Sequence, residues 1–210
     1  MNKKLVFLAM FSSFAVASAE SLPETHDGFF LAFGLGLGSG NMKTEISGGN
    51  STLTTTGTNS TFDFRIGGAV MEDLILHATL SGDAINSPKT TSSNGASGSP
   101  FSSVGMSLLG VGLTKYFMPL NAFVSTSGGL AKFSYQEKGA SESKNIDGNG
   151  FGLQIKAGKE WWVSPNWALG ASAVFNWATL TTDDYQIGTI TLHETDTHRG
   201  FGVQFSATFQ

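Results

Sequence analysis

Large apolar residues alternate with small or polar ones along most of the chain. The first such stretch runs from Gly28 to Gly38 and sets Phe29, Leu31, Phe33, Leu35 and Leu37 against Phe30, Ala32, Gly34, Gly36 and Gly38. A period of two places these two sets on opposite faces of a β-strand. The glycines do not complete a dinucleotide-binding loop, because Ser39 stands where that motif needs its third glycine. Small residues on one strand face fit instead the crowded interior of a closed barrel.

Seven more segments show the same alternation, which brings the number of predicted strands to eight. They cover residues 61–70, 74–81, 106–117, 121–135, 150–162, 167–177 and 200–210. In most of them one face is apolar, with residues such as Leu76 and Val203, and the other face is polar, with residues such as Gln204. The pattern of the fifth segment, 121–135, leaves its facing open.

The connections between these segments are short and long in turn. Short ones fall at 71–73, 118–120 and 163–166, and long ones at 39–60, 81–102, 136–148 and 181–196. Outer-membrane barrels have short periplasmic turns and long extracellular loops. The sequence therefore predicts an all-β fold, an eight-stranded antiparallel up-and-down transmembrane β-barrel with both ends in the periplasm. The extracellular loops are expected near Asn50, Asn94, Gly139 and Tyr185.

The aromatic residues support this prediction. All four tryptophans lie between residues 161 and 177, and Trp167 and Trp177 share a strand face ten residues apart. On a tilted strand ten residues climb about 23 Å, close to the ~25 Å apolar band that aromatic girdles flank. Phe123 and Phe133 repeat this spacing on the fifth segment. The predicted girdle consists of Phe117, Phe123, Phe133, Trp161, Trp167, Trp177 and Phe209.

Composition and charge narrow the class of protein. Charged residues make up 13% of the chain, against about 25% in a typical soluble domain, and 27 residues are glycine. The absence of cysteine excludes disulfides and thiolate metal sites. A formal net charge of −4 argues against a nucleic-acid partner.

The first nineteen residues form a separate unit. Lys3 and Lys4 precede an apolar run over residues 5–16, and Ala17-Ser18-Ala19 supplies a small-residue cleavage site. These features predict a secretory signal peptide at 1–19. Residues 20–210 are predicted to form the outer-membrane β-barrel domain.

Together these features resemble a known group of proteins. The signal peptide, the eight segments, the turn sequences KYFMPLN and EWWVSPNW and a final strand ending in Phe209 are similar to the small outer-membrane barrels of the OmpA membrane domain, OmpX and OmpW type. The resemblance covers residues 24–210 and concerns architecture, since these barrels share no functional motif. It implies a bacterial outer-membrane location, with outer-membrane lipids and lipopolysaccharide as partners. It also implies recognition of the last strand by the barrel-assembly machinery, although here Gln210 follows the aromatic residue that usually stands last.

The polar strand faces predict what fills the lumen. The predicted charge network consists of Asp63, Arg65, His77, Lys156 and Glu160. Counting residues up from the short turns places Asp63 level with Lys156, and Arg65 near the level of Glu160, on strands that face each other. Because buried charges need partners, two ion pairs, Asp63–Lys156 and Arg65–Glu160, are predicted to close the bore.

Motifs for catalysis or metal binding are weak. The cluster at 193–198 lacks the HExxH spacing, and its two histidines would point to opposite faces of a strand, so a solvated loop is the better interpretation. The stretch from Asp147 resembles a calcium loop but has Gly158 where the bidentate acid is needed. His77 with Thr79 is similar to the His-x-Ser arrangement of lipid A deacylases, but threonine replaces serine and no general base is evident. No catalytic residue, cofactor or metal site is predicted.

The predicted function is a structural or surface-interaction role through the extracellular loops, with a lumen plugged by polar and charged side chains. The alternative is a narrow channel for small or apolar solutes, as in OmpW-type barrels, and a lipid A-modifying enzyme is a weaker alternative. A soluble barrel of lipocalin type would need an apolar lining and a polar outside. The extracellular partner is left open.

Overall fold

The computed structural model describes residues 26–47, 51–182, 185–187, 190–192 and 194–210. The strands are β1 (Phe29–Ile46), β2 (Thr52–Met71), β3 (Leu74–Ser92), β4 (Ser97–Gly98), β5 (Phe101–Phe117), β6 (Ala122–Glu137), β7 (Lys144–Ser164), β8 (Trp167–Thr181), β9 (Tyr185–Ile187), β10 (Ile190–Leu192) and β11 (Glu194–Phe209). The signal peptide at 1–19 lies outside the described residues and stays a prediction. Within those residues, no helix is long and apolar enough to cross a membrane.

The eight long strands form a closed antiparallel ring. Each pairs with its neighbours along the chain, and β1 closes the ring on β11 through a register that runs from Leu31 opposite Phe209 to Ile46 opposite Glu194. Closure pairs the backbone N–H and C=O groups of every long strand on both sides, so that the ring has no free edge. The prediction of an eight-stranded antiparallel barrel is confirmed.

One end of the barrel has tight turns. Residues 72–73, 118–121 and 165–166 connect β2 to β3, β5 to β6 and β7 to β8. Asp73 and Asn121 adopt positive φ angles of 59° and 51°, which their short polar side chains tolerate better than most residues do. This end is the one that the sequence assigns to the periplasm.

At the other end the strands extend much further than predicted. The sequence suggests loops at 39–60 and 81–102, but β1 continues to Ile46, β2 begins at Thr52 and β3 continues to Ser92. The physical reason is that the Thr-rich segments have a high propensity for β-strands. The neighbouring strands of the barrel offer backbone hydrogen-bonding partners along the whole extension. The low-complexity composition indicated a loop and was misleading here.

The barrel wall is apolar on its outside and largely polar on its inside, the reverse of a soluble protein. Large apolar side chains cover the outside, and on β11 the exposed fractions of Phe201, Val203 and Phe205 are 58%, 53% and 69%. Charged and polar side chains point inward, where Asp63 and Arg65 are fully buried. An apolar outer belt around a polar interior is the arrangement that a lipid bilayer requires of a barrel. This outer surface is called the apolar belt below.

Of the seven residues predicted for the aromatic girdle, five point outward and two point into the barrel. Phe117, Trp161, Trp167, Trp177 and Phe209 point outward, and Trp167 and Phe209 are in edge-to-face contact at 5.3 Å. Phe123 and Phe133, in contrast, are buried inside the barrel with exposed fractions of 2% and 0%. Their strand, β6, pairs them with the inward-facing Tyr116 and Met106 of β5. Both faces of this strand carry apolar and small residues, so its register with β5 decides the facing and the local pattern does not.

The apolar belt makes a charged substitution unfavourable. We expect Val203→Arg to lower the free energy of unfolding by about 2–4 kcal/mol at the bilayer midplane, and by less toward an interface. Urea titration of the refolded protein in lipid vesicles measures this change. Thr197→Arg, on the same face of β11 but beyond the apolar belt, is the matched control and should change the value by less than about 1 kcal/mol. Equal losses for both variants would contradict the placement of the belt.

Candidate functional site in the barrel lumen

A buried carboxylate on β2 holds two cations at the centre of the lumen. Lys156 Nζ, from β7 on the opposite wall, lies 2.6 Å from Asp63 Oδ1, and Arg65 Nε lies 2.9 Å from Asp63 Oδ2. All three side chains are completely buried. β2 and β7 are four strands apart in the ring of eight, so the Asp63–Lys156 pair spans the bore. This pairing is the one that the strand heights predict.

The second predicted ion pair does not form. Arg65 contacts its strand neighbour Asp63 instead, because residues two apart share a strand face. Glu160 accepts hydrogen bonds from Tyr116 Oη at 3.2 Å and Thr208 Oγ1 at 2.7 Å. The prediction of an Arg65–Glu160 pair is wrong, because Arg65 has a carboxylate within reach on its own strand and Glu160 has hydroxyl donors from β5 and β11.

Aromatic rings and hydroxyl groups surround Arg65. Its guanidinium carbon lies 5.5 Å from the ring centre of Phe30 and 6.0 Å from that of Phe123, within the range of cation–π interactions. Its Nη1 donates weakly to Thr114 Oγ1 and Ser125 Oγ at 3.3 and 3.4 Å. The buried Phe123 therefore contributes to the lumen and not to the girdle.

His77 is hydrogen-bonded to a network of hydroxyl groups. Its Nδ1 lies 3.0 Å from Thr79 Oγ1, and its Nε2 lies 3.0 Å from Thr114 Oγ1. Thr79 is also hydrogen-bonded to Ser127 at 2.9 Å. These are the contacts of an interior hydrogen-bonded histidine, because the hydrogen-bond partners of its ring among the described residues are the hydroxyl groups of Thr79 and Thr114.

A second buried carboxylate lies nearer the loop end. Asp83 accepts hydrogen bonds from Asn59 Nδ2 at 2.8 and 2.9 Å and from Asn176 Nδ2 at 2.8 Å, and His198 Nε2 lies 3.1 Å away. His198 is 1% exposed, so the interpretation of its segment as a solvated loop is wrong at this position. His193, from the same cluster, lies outside the described residues.

The Asp83 network is not predicted from the sequence, because Asp83 and Asn59 lie in the segments 81–102 and 39–60, whose composition indicates loops. A usable signal was present in the alternation. Asp83 continues the inward face of His77 on β3, and Asn59 continues the inward face of Asp63 on β2. Extending the alternation of inward and outward positions through the Thr-rich segments places both residues in the lumen.

An apolar cluster fills the lumen around and above Asp83. It consists of Met42, Ile85, Val104, Met106, Leu108, Ala131, Phe133, Ala178 and Leu180. Side chains of five strands contribute to it, among them β1 and β6 on opposite walls, so it reaches across the bore. The lumen is therefore packed with both polar and apolar side chains.

Glycines make room for these side chains. A Cβ atom at Gly34 would lie 2.5 Å from Asp63 Oδ1, and one at Gly200 would lie 2.4 Å from Asp83 Oδ2. Real Cβ atoms do not approach other atoms so closely, so each carboxylate needs a glycine beside it. The small residues that the sequence places on the inner face of β1 have this function.

The mouth of the barrel at the end with the tight turns is closed by His26, which precedes β1. Its ring stacks on Tyr116 with centres 3.5 Å apart and planes 14° apart, and its centre lies 5.2 Å from that of Trp162. The two ring nitrogens contact the side-chain amides of Asn121 and Gln210. His26 is completely buried. These contacts define a mouth cap, formed by His26, Tyr116, Trp162, Asn121 and Gln210.

The apolar belt and the filled polar lumen define the class of protein, a small transmembrane β-barrel with eight strands. No protein-family model matches the chain, and no curated protein matches it in sequence. Several solved structures of bacterial surface and outer-membrane proteins are similar in fold. Neisserial surface protein A has 14% identity and a TM-score of 0.46, over 87% of this chain and 98% of its own.

Two other solved structures give similar values. The outer membrane protein AlkL, determined in lipid bilayers, has 12% identity and a TM-score of 0.47, over 92% of this chain and 94% of its own. OprG from Pseudomonas aeruginosa has 10% identity and a TM-score of 0.48, over 86% of this chain and 97% of its own. The closed ring of eight strands and its apolar belt confirm, at the level of architecture, the resemblance to small eight-stranded outer-membrane barrels that the sequence indicates.

The central ion pairs should stabilise the barrel unequally. Lys156→Met leaves Asp63 paired with Arg65, whereas Asp63→Asn leaves two buried cations without an anion. Removing one partner of a buried pair costs about 3–5 kcal/mol, so we expect a loss near the lower end for Lys156→Met and a larger loss for Asp63→Asn. Urea titration of refolded variants measures both losses. Lys159→Met, an outward-facing change on the same strand, is the control, and a loss as large as that of Lys156→Met would contradict a role for the pair.

The mouth cap should couple His26, three residues before the first strand, to Gln210, directly after the last strand. His26→Ala removes the ring stack and leaves buried amides without partners, so we expect it to lower the free energy of unfolding by about 1–3 kcal/mol. Gln210→Ala should cost less in a His26→Ala background than in the wild type, because both changes break the same contact. Asp27→Ala, at an exposed neighbour, is the control. Strictly additive losses for His26→Ala and Gln210→Ala would contradict the coupling.

Proposed function

We propose that the protein is a bacterial outer-membrane barrel with a structural or surface-interaction role, and that its lumen does not conduct solutes. The apolar belt supports a membrane location, since a surface of this kind is stable only in lipid. Its interaction surface is the loop end of the barrel. The function requires a rigid membrane anchor and no open pore.

The observation that carries this proposal is the filling of the bore by pairs that reach across it. Lys156 and Asp63 join opposite walls at the centre, and Asp83 joins β2, β8 and β11 through its three partners further up. An eight-stranded barrel leaves an interior just wide enough for side chains. A solute would have to separate buried ion pairs and hydrogen bonds without offering replacements for them.

The long strands support a role at the cell surface. A tilted strand needs about 9–11 residues to cross the hydrocarbon region, whereas β2 has 20 residues and β7 has 21. The excess extends the sheet beyond the bilayer by roughly 20 Å. Exposed ion pairs join neighbouring residues there, with Lys43 Nζ 2.6 Å from Glu45 and Lys144 Nζ 3.0 Å from Glu137. The extended part of the sheet thus holds the loops above the membrane.

A planar bilayer tests the closed lumen directly. We expect the refolded wild-type protein to give no steady ionic current, because side chains fill the bore at several levels. The double variant Phe133→Ala/Lys156→Ala, which removes side chains from the apolar cluster and the central ion pair, should give currents under the same conditions. Phe151→Ala, at an outward position with 53% exposure, is the control and should stay silent. A stable current from the wild type would overturn the proposal in favour of a narrow channel.

A further inference from the structure

The turn between β3 and β4 contains Asn94-Gly95, one of two Asn-Gly pairs in the chain. Both residues are exposed at the loop end of the barrel. Gly95 has a positive φ of 87°, and a Cβ atom there would meet no other atom within 4 Å. Because glycine has no side chain, it leaves the side-chain amide of the preceding asparagine accessible to its own backbone nitrogen. The turn therefore allows chemistry between the Asn94 side chain and the main chain.

A hydrogen bond orients the side-chain amide of Asn94. Its Oδ1 accepts from the backbone N–H of Ala96 at 3.0 Å, which is the contact of an Asx turn. This contact folds the side chain back along the main chain and brings its carbonyl carbon, Cγ, toward the backbone nitrogen of Gly95. If that nitrogen attacks Cγ, negative charge develops on Oδ1, and the Ala96 N–H is already in place to stabilise it.

The attacking nitrogen is held by a contact that opens easily. The Gly95 N–H donates to Ser92 O at 2.9 Å, and this bond must open before the nitrogen can react. The bond closes an exposed turn, and hydrogen bonds of exposed turns open at a low free-energy cost. β4, which follows the turn, is two residues long, so the turn lacks the support of a long pair of strands.

The second Asn-Gly pair, Asn149-Gly150, lies within β7. There Gly150 pairs with Ala131 of β6 on one side and with Leu180 of β8 on the other. Attack by its nitrogen requires opening of the barrel wall, which costs far more than opening of a turn. The chain thus carries the same pair of residues in an open and in a protected setting.

We propose that Asn94 is a site of spontaneous deamidation through a cyclic imide. The Gly95 nitrogen loses its proton to solvent, and its electron pair forms a bond to Asn94 Cγ. The side-chain nitrogen takes up a proton from solvent and leaves as ammonia with the electrons of its bond to Cγ, which leaves an imide ring. Water then adds to one of the two ring carbonyl carbons and breaks its bond to nitrogen. One opening gives aspartate, and the other gives isoaspartate, in which the main chain runs through Cγ.

The modification changes the loop end and spares the membrane-spanning wall. Both products add a negative charge at position 94. Isoaspartate also lengthens the main chain by a carbon atom and removes the side-chain oxygen that holds the Ala96 N–H. The turn lies beyond the last pair of β3 with β5, Asn86 with Ser103, so the ring of long strands stays closed. The surface to which the proposed function assigns interactions thus changes as the protein ages, although the deamidation itself does not depend on that function.

Peptide mapping by mass spectrometry tests this site on the refolded protein in detergent. During incubation in mildly alkaline buffer, we expect Asn94 to deamidate at least about tenfold faster than Asn149, because the free energies of opening differ at the two positions. The products at Asn94 should include both aspartate and isoaspartate. In protein unfolded by urea, the two rates should converge. Gly95→Ala places a side chain beside the attacking nitrogen and should slow the reaction at Asn94, with the unchanged rate at Asn149 as the control for folding.

Several outcomes would overturn the inference. Equal rates at Asn94 and Asn149 in the folded protein would show that the turn does not favour the reaction. An Asn94 that stays intact in the folded protein and reacts only in urea would show that the turn protects it. Aspartate without isoaspartate would exclude the imide and indicate direct hydrolysis of the side-chain amide. An unchanged rate at Asn94 in Gly95→Ala would exclude attack by the backbone nitrogen.

Discussion

In hydrocarbon, a backbone N–H or C=O group without a partner costs several kcal/mol, and the rest of this structure depends on that constraint. The pairing of β1 with β11 meets it, because this pairing turns an open sheet into a ring. A ring of eight strands has a narrow interior, so inward residues must be small or must fit a partner across the bore. The same ring exposes the opposite face of every strand to lipid, which explains why outward positions such as Val203 and Leu76 are apolar.

The narrow interior also determines how charges are accommodated. A buried charge needs an opposite charge or several hydrogen bonds. Asp63 has two cations, and Asp83 has two amide donors and a histidine. Because these partners come from different strands, each carboxylate ties distant parts of the wall together. The same contacts therefore fill the lumen and hold the wall together. A mutation that opens the bore should for this reason also destabilise the barrel.

Much of the fold could be predicted from the sequence, and less of the site. The alternation of apolar and polar residues predicted the eight strands and the inward direction of Asp63 and Lys156. Side-chain direction on a strand depends only on whether the position is odd or even. Arg65 pairs with Asp63 on its own strand, and Glu160 bonds to hydroxyl groups from β5 and β11, which strand counting along two facing strands does not include. Phe123 and Phe133 were misplaced because both faces of β6 are mixed, and only pairing with β5 settles their direction. The inward direction of Asp83 is not predicted, because the sequence around it has the composition of a loop. The backbone hydrogen bonds between β2 and β3 nevertheless continue through this segment.

Side-chain parity also explains why Gln210 follows the aromatic residue Phe209. On β11 the outward residues are odd-numbered, and Phe209 is the last of them, in contact with Trp167 and Phe29 at the lower edge of the apolar belt. Gln210 follows with inward parity, and its side chain contacts His26 in the mouth cap while its backbone N–H donates to Asn166 O at 3.0 Å. An aromatic residue at 210 would point toward the stacked rings of His26 and Tyr116 and not toward lipid. The aromatic residue at the membrane edge is thus kept at 209, and position 210 carries an amide because the closed mouth needs a hydrogen-bonding group there.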